Sequence, residues 1–373
     1  MIVLASVIAV VVAAVLVAQP WQDVPPTMRS DDPPRVLRSV SVDLGVVTDP
    51  ATDWAALDAR LDAAGVTGVE LNAGRVEFTA LDWAEHPDAA AEPGTDHIAR
   101  AARALRTTAD GRQRQIGLVV DAYVPAWIAR DPSVAGVDAD GNRAVYAASA
   151  TQIARGEVGA RLVSYVAMLG ARYQPSQIAL TELFLDQSFG DDDLALFREA
   201  TGAADWPRTP DGRPDGTAPE VTAWRSDVLT DLLRRARDAL DEAGAPDVAL
   251  AMDVQVDWED PARGAPVAGQ DYAALLGVAD RLVLWAYLFG DRPPSDVGRL
   301  VDALVADGQD MSRFVVSVGL WAPGTPEAPG SLPAPTLAQA VEAALAAGAT
   351  SVNVTPVTLM TDEDWVALAE AWA

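Results

Sequence analysis

The chain has 373 residues, half of them hydrophobic and 22% charged, with 54 acidic against 27 basic residues and a formal charge of −27. This is a globular composition, and its acidity argues against nucleic acid as a partner. There is no Cys, no Lys, and only His86 and His97 as imidazoles, which excludes thiolate chemistry, disulfides, Schiff bases, a phosphate-binding lysine loop and multi-histidine metal sites.

Met1–Ala18 is an apolar run rich in Val, Ile, Leu and Ala, long enough to cross a bilayer. No positive charge precedes it and Leu16 fits a cleavage site after Ala18 poorly, so residues 1–19 are expected to be a signal or a membrane anchor. Export, membrane-anchored or secreted, follows, with the membrane touched through this segment only. Pro20, Pro25, Pro26, Pro33 and Pro34 mark residues 20–36 as an extended linker. Residues 37–373 are then the folded domain.

From there a short β-branched run alternates with a longer stretch rich in Ala, Leu and Arg. The expected strands are Val40–Val47, Gly68–Asn72, Ile116–Tyr123, Ile178–Leu185, Val248–Val256, Leu282–Tyr287, Phe314–Leu320 and Ser351–Thr355. The intervening helical patterns are Thr52–Ala64, His97–Thr107, Gly156–Ala171, Thr222–Ala243, Tyr272–Val278, Asp296–Ala306, Leu337–Ala346 and Asp362–Trp372. Alternation of this kind means βα units on a parallel sheet, and eight units suggest an α/β fold of the closed (β/α)8 TIM barrel type. A doubly wound open sheet is the alternative; it usually has fewer strands, and the G-x-G-x-x-G fingerprint common among its dinucleotide-binding members is missing.

Each expected strand has one aliphatic parity and one that carries polar or aromatic groups toward its C-terminal end. Helices cover the outer face of such a barrel, where an unpaired carboxylate would be costly. The polar parity is therefore expected to point inward, bringing Asp43, Glu70, Asp121, Glu182 and Asp253 to one mouth with Trp285, Tyr287, Trp321 and Asn353. On the fourth strand this places Leu180, Glu182 and Phe184 on the inner face. Long connections after the second, third and fourth strands (Glu77–Asp96, Pro125–Ala154, Gln187–Val221) would shape a cleft there.

Crowded carboxylates cannot all ionise, and a protonated acid beside an ionised one is the pair that glycoside hydrolysis needs. Glu182, flanked by Leu180, Leu183 and Phe184, is the expected general acid, with Asp253 or Asp121 as its ionised partner. Barrel interiors also hold structural acids; Glu70 and Asp43 fit that role best, with Arg75 available to pair with one of them. The chain has 11 Trp. Trp127, Trp258, Trp285 and Trp321 fall at or just after strand ends and could stack on sugar faces. With Tyr123, Tyr287, Asn353, Glu70 and Asp43 they are the substrate-binding candidates. Trp54, Trp365 and Trp372 sit in helical patterns and read as packing residues. Asp138–Asn142 reads as a tight turn rather than a calcium loop, Asp191–Asp193 as helix-capping residues, and the two histidines as surface residues.

The segment Thr181-Glu182-Leu183-Phe184-Leu185-Asp186, followed by Phe189-Gly190 and Phe197-Arg198-Glu199-Ala200-Thr201-Gly202, resembles glycoside-hydrolase-like TIM barrels of exported polysaccharide-processing proteins. Trp285-Ala286-Tyr287 adds to the likeness. In the large retaining clan the acid/base Glu ends the fourth strand, usually after Asn, and a nucleophilic Glu ends the seventh. Glu182 matches the first position, with Thr181 in place of Asn; the seventh strand, Val315–Trp321, has no carboxylate. The resemblance thus implies a carbohydrate partner and carboxylate acid/base hydrolysis without a metal or cofactor. The alternative is a non-catalytic carbohydrate-binding or envelope protein on a degenerate glycosidase-like barrel. A weaker third reading has Glu70, Asp121, Glu182 and Asp253 as oxygen ligands for Mg²⁺ in a lyase or isomerase.

Overall fold

The β-branched runs pair into one parallel sheet that closes on itself. In the computed structural model, which describes residues 27–30, 34–290, 292–325 and 328–372, the barrel strands are β1 (Leu37–Val42), β2 (Gly68–Arg75), β3 (Gln115–Asp121), β4 (Gln177–Thr181), β5 (Ala249–Val254), β6 (Arg281–Tyr287), β7 (Phe314–Gly319) and β8 (Ser351–Thr355). Each pairs in parallel with its chain neighbours, and β1 pairs with both β2 and β8, which closes the ring. The helices that follow are α1 (Trp54–Ala63), α2 (His97–Leu105), α3 (Glu157–Tyr173), α4 (Pro219–Glu242), α5 (Tyr272–Leu275), α6 (Ser295–Ala306), α7 (Ala334–Ala346) and α8 (Asp362–Ala371). The chain is therefore an α/β TIM barrel, not an open sheet. Short extra elements decorate the mouth, among them the helix Asp191–Thr201 and the hairpin Ala135–Val137/Arg143–Ala148.

Two faces of the strands do different work. Val40, Val69, Leu71, Ile116, Leu118, Ile178, Leu180, Leu250, Met252, Leu282, Leu284, Val316, Val318, Val352 and Val354 are wholly buried between strands and helices. Inside, Val119, Ala179, Ala251, Val283 and Val315 form a separate small apolar plug. Gly117 leaves the space that the Glu70 carboxylate occupies as it crosses over: a Cβ there would displace that carboxylate.

Two strands stop four or more residues short of the expected end. The first strand stops at Val42, and Leu44–Thr48 turns into a short helix. The fourth stops at Thr181, because Glu182 adopts a left-handed φ of 57°. Helix boundaries otherwise fall within three residues of the sequence pattern.

Residues 1–19, expected as signal or anchor, lie outside the described residues; among the described ones no helix is long and apolar enough to cross a membrane. Within the stretch read as linker, Met28 is buried at the base of the barrel, its N–H donating to the Tyr173 carbonyl (3.1 Å). Trp365 and Trp372 are buried and Trp54 packs on the core.

Candidate active site

Residues at the C-terminal ends of the strands enclose a cavity of about 170 Å³, walled by Asp43, Glu70, Asp121, Glu182, Asp253 and Asn353 among others. It opens past Glu182 into a groove of about 500 Å³ lined by Gln255, Val256, Trp258, Trp285, Tyr287, Phe289 and Trp321. All five acids expected at the mouth line one cleft, which is where active sites of this fold form.

Glu182 reaches it by a route that strand alternation does not give. Ala179 and Thr181 are the inward residues of β4, while Leu180 is buried against the helices. The inner face expected for Leu180 is thus corrected. Had β4 continued, Glu182 would have followed Leu180 outward. Its left-handed backbone breaks the alternation and turns the carboxylate into the mouth. A non-glycine residue held in that conformation is strained by about 1 kcal/mol or more, and such strain concentrates at functional positions.

The acids face one another with little to neutralise them. Asp253 is pushed up from 3.8 to about 7 by burial, against hydrogen bonds from Thr181 and Trp285, with Glu182 and Asp121 adding repulsion; Trp285 Nε1 donates to it at 3.3 Å. Asp121 is pushed up to about 6 by burial, against Asn72 and the charge of Arg75. Asn72 Nδ2 donates to both of its oxygens, at 3.1 and 3.3 Å. Glu182 is raised by burial and by the Asp121 charge, with no contribution lowering it. Glu70 is pushed up to about 7 by burial, and its Oε2 is buried without a hydrogen-bond partner. Asp43 is raised by burial, against two bonds from Thr358. Arg75, expected to pair with Glu70 or Asp43, pairs instead with Glu77 at 2.9 Å, because β2 runs on to a tight turn that brings the two side chains together.

The aromatic candidates divide. Trp285 stacks on Tyr287 (5.5 Å, 11° between planes), and Tyr287 meets Trp321 (5.1 Å) and Phe289 (5.9 Å), giving the groove a continuous aromatic wall. Trp258 belongs to it and carries the Arg292 guanidinium on one face (4.5 Å). Tyr123, just past β3, lines neither the cavity nor the groove; it packs against Tyr146 (6.1 Å) and under Arg75 (5.5 Å). Trp127 does not line the cleft; its ring lies under Arg161 of α3 (4.9 Å). Asn353 forms part of the floor, but its amide is spent on Ser39, Ser41 and Ser317 at 3.0–3.3 Å, tying β1, β7 and β8 together.

Neither histidine reaches the mouth: His97 begins α2 and is buried rather than on the surface, and His86 packs on Trp83. Asp138–Asn142 is a tight turn, Asp138 accepting from the Asp140 and Asn142 amides. Asp191–Asp193 form the first turn of their helix, with Gly190 as the cap. Among the described residues no three acids or histidines are grouped to hold a metal ion.

Sequence reasoning missed Phe289, although it continues the alternation Trp285–Tyr287–Phe289 and could have been found from it. A larger depression of about 790 Å³ lies at the opposite end of the barrel. Its Arg114 is committed to Asp58 (2.6 Å) and Asp62, and its Arg112 to Asp110 (2.8 Å).

No known sequence family matches the chain, and no curated protein does. Solved structures do match. The glycoside hydrolase domain of PgaB (BpsB) from Bordetella bronchiseptica superposes with a TM-score of 0.63 at 16% identity, over 90% of this chain and 97% of that one. The catalytic domain of a β-amylase from Paenibacillus polymyxa gives 0.60 at 13% identity, over 90% and 97%. A β-galactosidase from Marinomonas ef1 gives 0.63 at 13% identity, over 90% of this chain and 59% of the other. At such identities the likeness is one of fold: the chain shares the TIM-barrel fold of these glycoside hydrolases.

Proposed function

We propose that the protein is a glycoside hydrolase acting on an oligo- or polysaccharide, with Glu182 as general acid and an ionised aspartate as its partner. The observation that carries this reading is the backbone of Glu182. A left-handed, non-glycine residue sets its carboxylate into the cleft between Asp121 on β3 and Asp253 on β5, where repulsion and burial favour the protonated form. Of the two aspartates, Asp121 is the better ionised partner: Asn72 donates to both of its oxygens and the Arg75 charge supports its anion, whereas no cation supports that of Asp253. The wall of Trp258, Trp285, Tyr287, Phe289 and Trp321 offers flat apolar faces for sugar rings. No metal or cofactor enters this chemistry. The apolar run Met1–Ala18 favours an extracytoplasmic place of work, anchored or secreted, with the Pro-rich stretch as tether up to Met28, which already packs on the barrel base, and 37–373 as the working domain. The barrel fold shared with hydrolases is consistent with the reading and does not decide it.

One observation favours a second reading. β7 ends at Gly319 and its continuation presents Trp321, not a carboxylate, to the mouth. A barrel that binds a glycan without cutting it would look similar there. The two are separated by incubating the purified chain with a panel of polysaccharides and aryl glycosides, measuring reducing ends and tryptophan quenching together. Hydrolysis that falls by about 10²–10⁴-fold in Glu182→Gln, with quenching retained, supports the enzyme. Quenching without any cleavage by the native protein supports the binding protein.

A further inference from the structure

We propose that Gln270 is a positioning residue: its side-chain amide clamps the backbone just after Glu182 to the end of the neighbouring strand β5. The inference rests on Glu182 being the general acid. Gln270 is fully buried in the loop between β5 and α5. Its Nε2 donates to the Leu183 carbonyl at 3.0 Å, and its Oε1 accepts from the Gln255 N–H at 2.7 Å. Both backbone groups lie beyond the ends of their strands, where the sheet ladder no longer supplies partners.

The clamp lies where it matters most. Leu183 is the residue after Glu182, and Gln255 is two residues after Asp253. The Leu183 carbonyl belongs to the peptide joining Leu183 to Phe184, so holding it anchors the chain one residue beyond Glu182 and braces the exit of the left-handed turn that sends the carboxylate into the cleft. One amide therefore sets the spacing between the strand ends that carry Glu182 and Asp253. Two neighbours reinforce it. The Leu185 N–H donates to the Ala268 carbonyl (2.9 Å), and the Tyr272 hydroxyl donates to the Gln255 carbonyl (2.7 Å).

The chemistry at position 270 is narrow. The side chain must donate at one atom and accept at another of the same planar group, which an amide does at every pH. A carboxylic acid does so only while protonated; as a carboxylate it would face the Leu183 carbonyl oxygen with a negative charge. Burial favours the protonated form, so Gln270→Glu should work at acidic pH and fail as pH rises. Gln270→Met keeps the volume and loses both bonds.

The test compares wild type, Gln270→Met, Gln270→Glu and Glu182→Gln as full chains, by hydrolysis of whichever polysaccharide of the panel is cut and by carbon-13 titration of the Glu182 carboxyl. In Gln270→Met we expect kcat to fall by about a hundredfold with KM little changed, and the Glu182 titration to move down toward the ordinary glutamate range as the carboxyl leaves its desolvated seat. In Gln270→Glu we expect near-native kcat at acidic pH, lost as pH rises in a way that wild type does not share. A folded Gln270→Met with native kcat, or with an unmoved Glu182 titration, overturns the clamp. If Gln270→Met does not fold, the pH dependence of Gln270→Glu decides alone, and a profile parallel to wild type overturns it. Full hydrolysis by Glu182→Gln, or none by the native chain, sinks the general-acid reading instead. The Glu182 titration, which needs no substrate, then still tests the clamp.

Discussion

The two ends of the barrel treat carboxylates in opposite ways. At the base, the fully buried side chain of Arg114 holds Asp58 at 2.6 Å and Asp62 beside it, and also donates to the Leu105 carbonyl (2.6 Å). On α6, buried Asp296 is held by Arg292 (2.7 Å) and Arg299 (2.5 Å). At the mouth, Asp43, Glu70, Asp121, Glu182 and Asp253 face one another, and among the described residues none has an ion-pair partner. Elsewhere the buried acids stand singly, Asp296 against arginine and Asp193 and Asp364 against hydrogen bonds from Thr151 and Thr361, so gathering five acids without an ion pair in one cleft is a departure. That departure costs stability, and it is the physical condition for holding a proton near neutral pH.

The comparison can be broken at the base first. Arg114→Met strands two aspartates and two backbone carbonyls, so stability should fall by roughly 3 kcal/mol, read from the urea midpoint, while hydrolysis per folded molecule stays native. A large loss of activity without loss of stability would mean that the base also serves the cleft.

At the mouth the sign reverses. Asp253 stands at about 7 in the folded protein against 3.8 for the free side chain. The native state therefore binds more protons than the unfolded one between those values, and stability falls as pH climbs through that window. Asp253→Asn removes the penalty and keeps an acceptor for Trp285 Nε1–H. The variant should be more stable than wild type by roughly 2 kcal/mol at pH about 8, the full shift being discounted for the opening to solvent, and no more stable below pH about 4. Thermal melts across pH check this; a variant destabilised at every pH would show that Asp253 is structural, like the acids at the base.

The smallest effect belongs to the aromatic wall. Trp321→Ala should raise KM for an oligosaccharide by about three- to tenfold with kcat little changed. A change confined to kcat would place Trp321 beside the reacting bond.

Which parts of this were legible in the sequence follows from which forces act locally. The eight βα units, the inward parity of seven strands and the gathering of five acids follow from a period of two and the cost of an outward charge. Glu182 reached the expected mouth for an unexpected reason: parity placed Leu180 inside with it, whereas Leu180 packs outside and a single backbone torsion turns Glu182 inward. No residue pattern announces a left-handed glutamate, since that conformation is imposed by tertiary contacts. The same holds for Arg75, whose choice of Glu77 depends on a turn two residues long. Likewise Trp127 shares a strand-end position with the cleft aromatics but is drawn to Arg161 on α3.

The central claim, that burial and the Asp121 charge together push the Glu182 carboxyl up, is most directly tested by carbon-13 titration of the Glu182 carboxyl, assigned by its loss in Glu182→Gln, in wild type and in Asp121→Asn. Glu182 should titrate above the ordinary glutamate value of 4.5 in the native chain and move down when the neighbouring charge is removed. An ordinary titration, unmoved by Asp121→Asn, would contradict it.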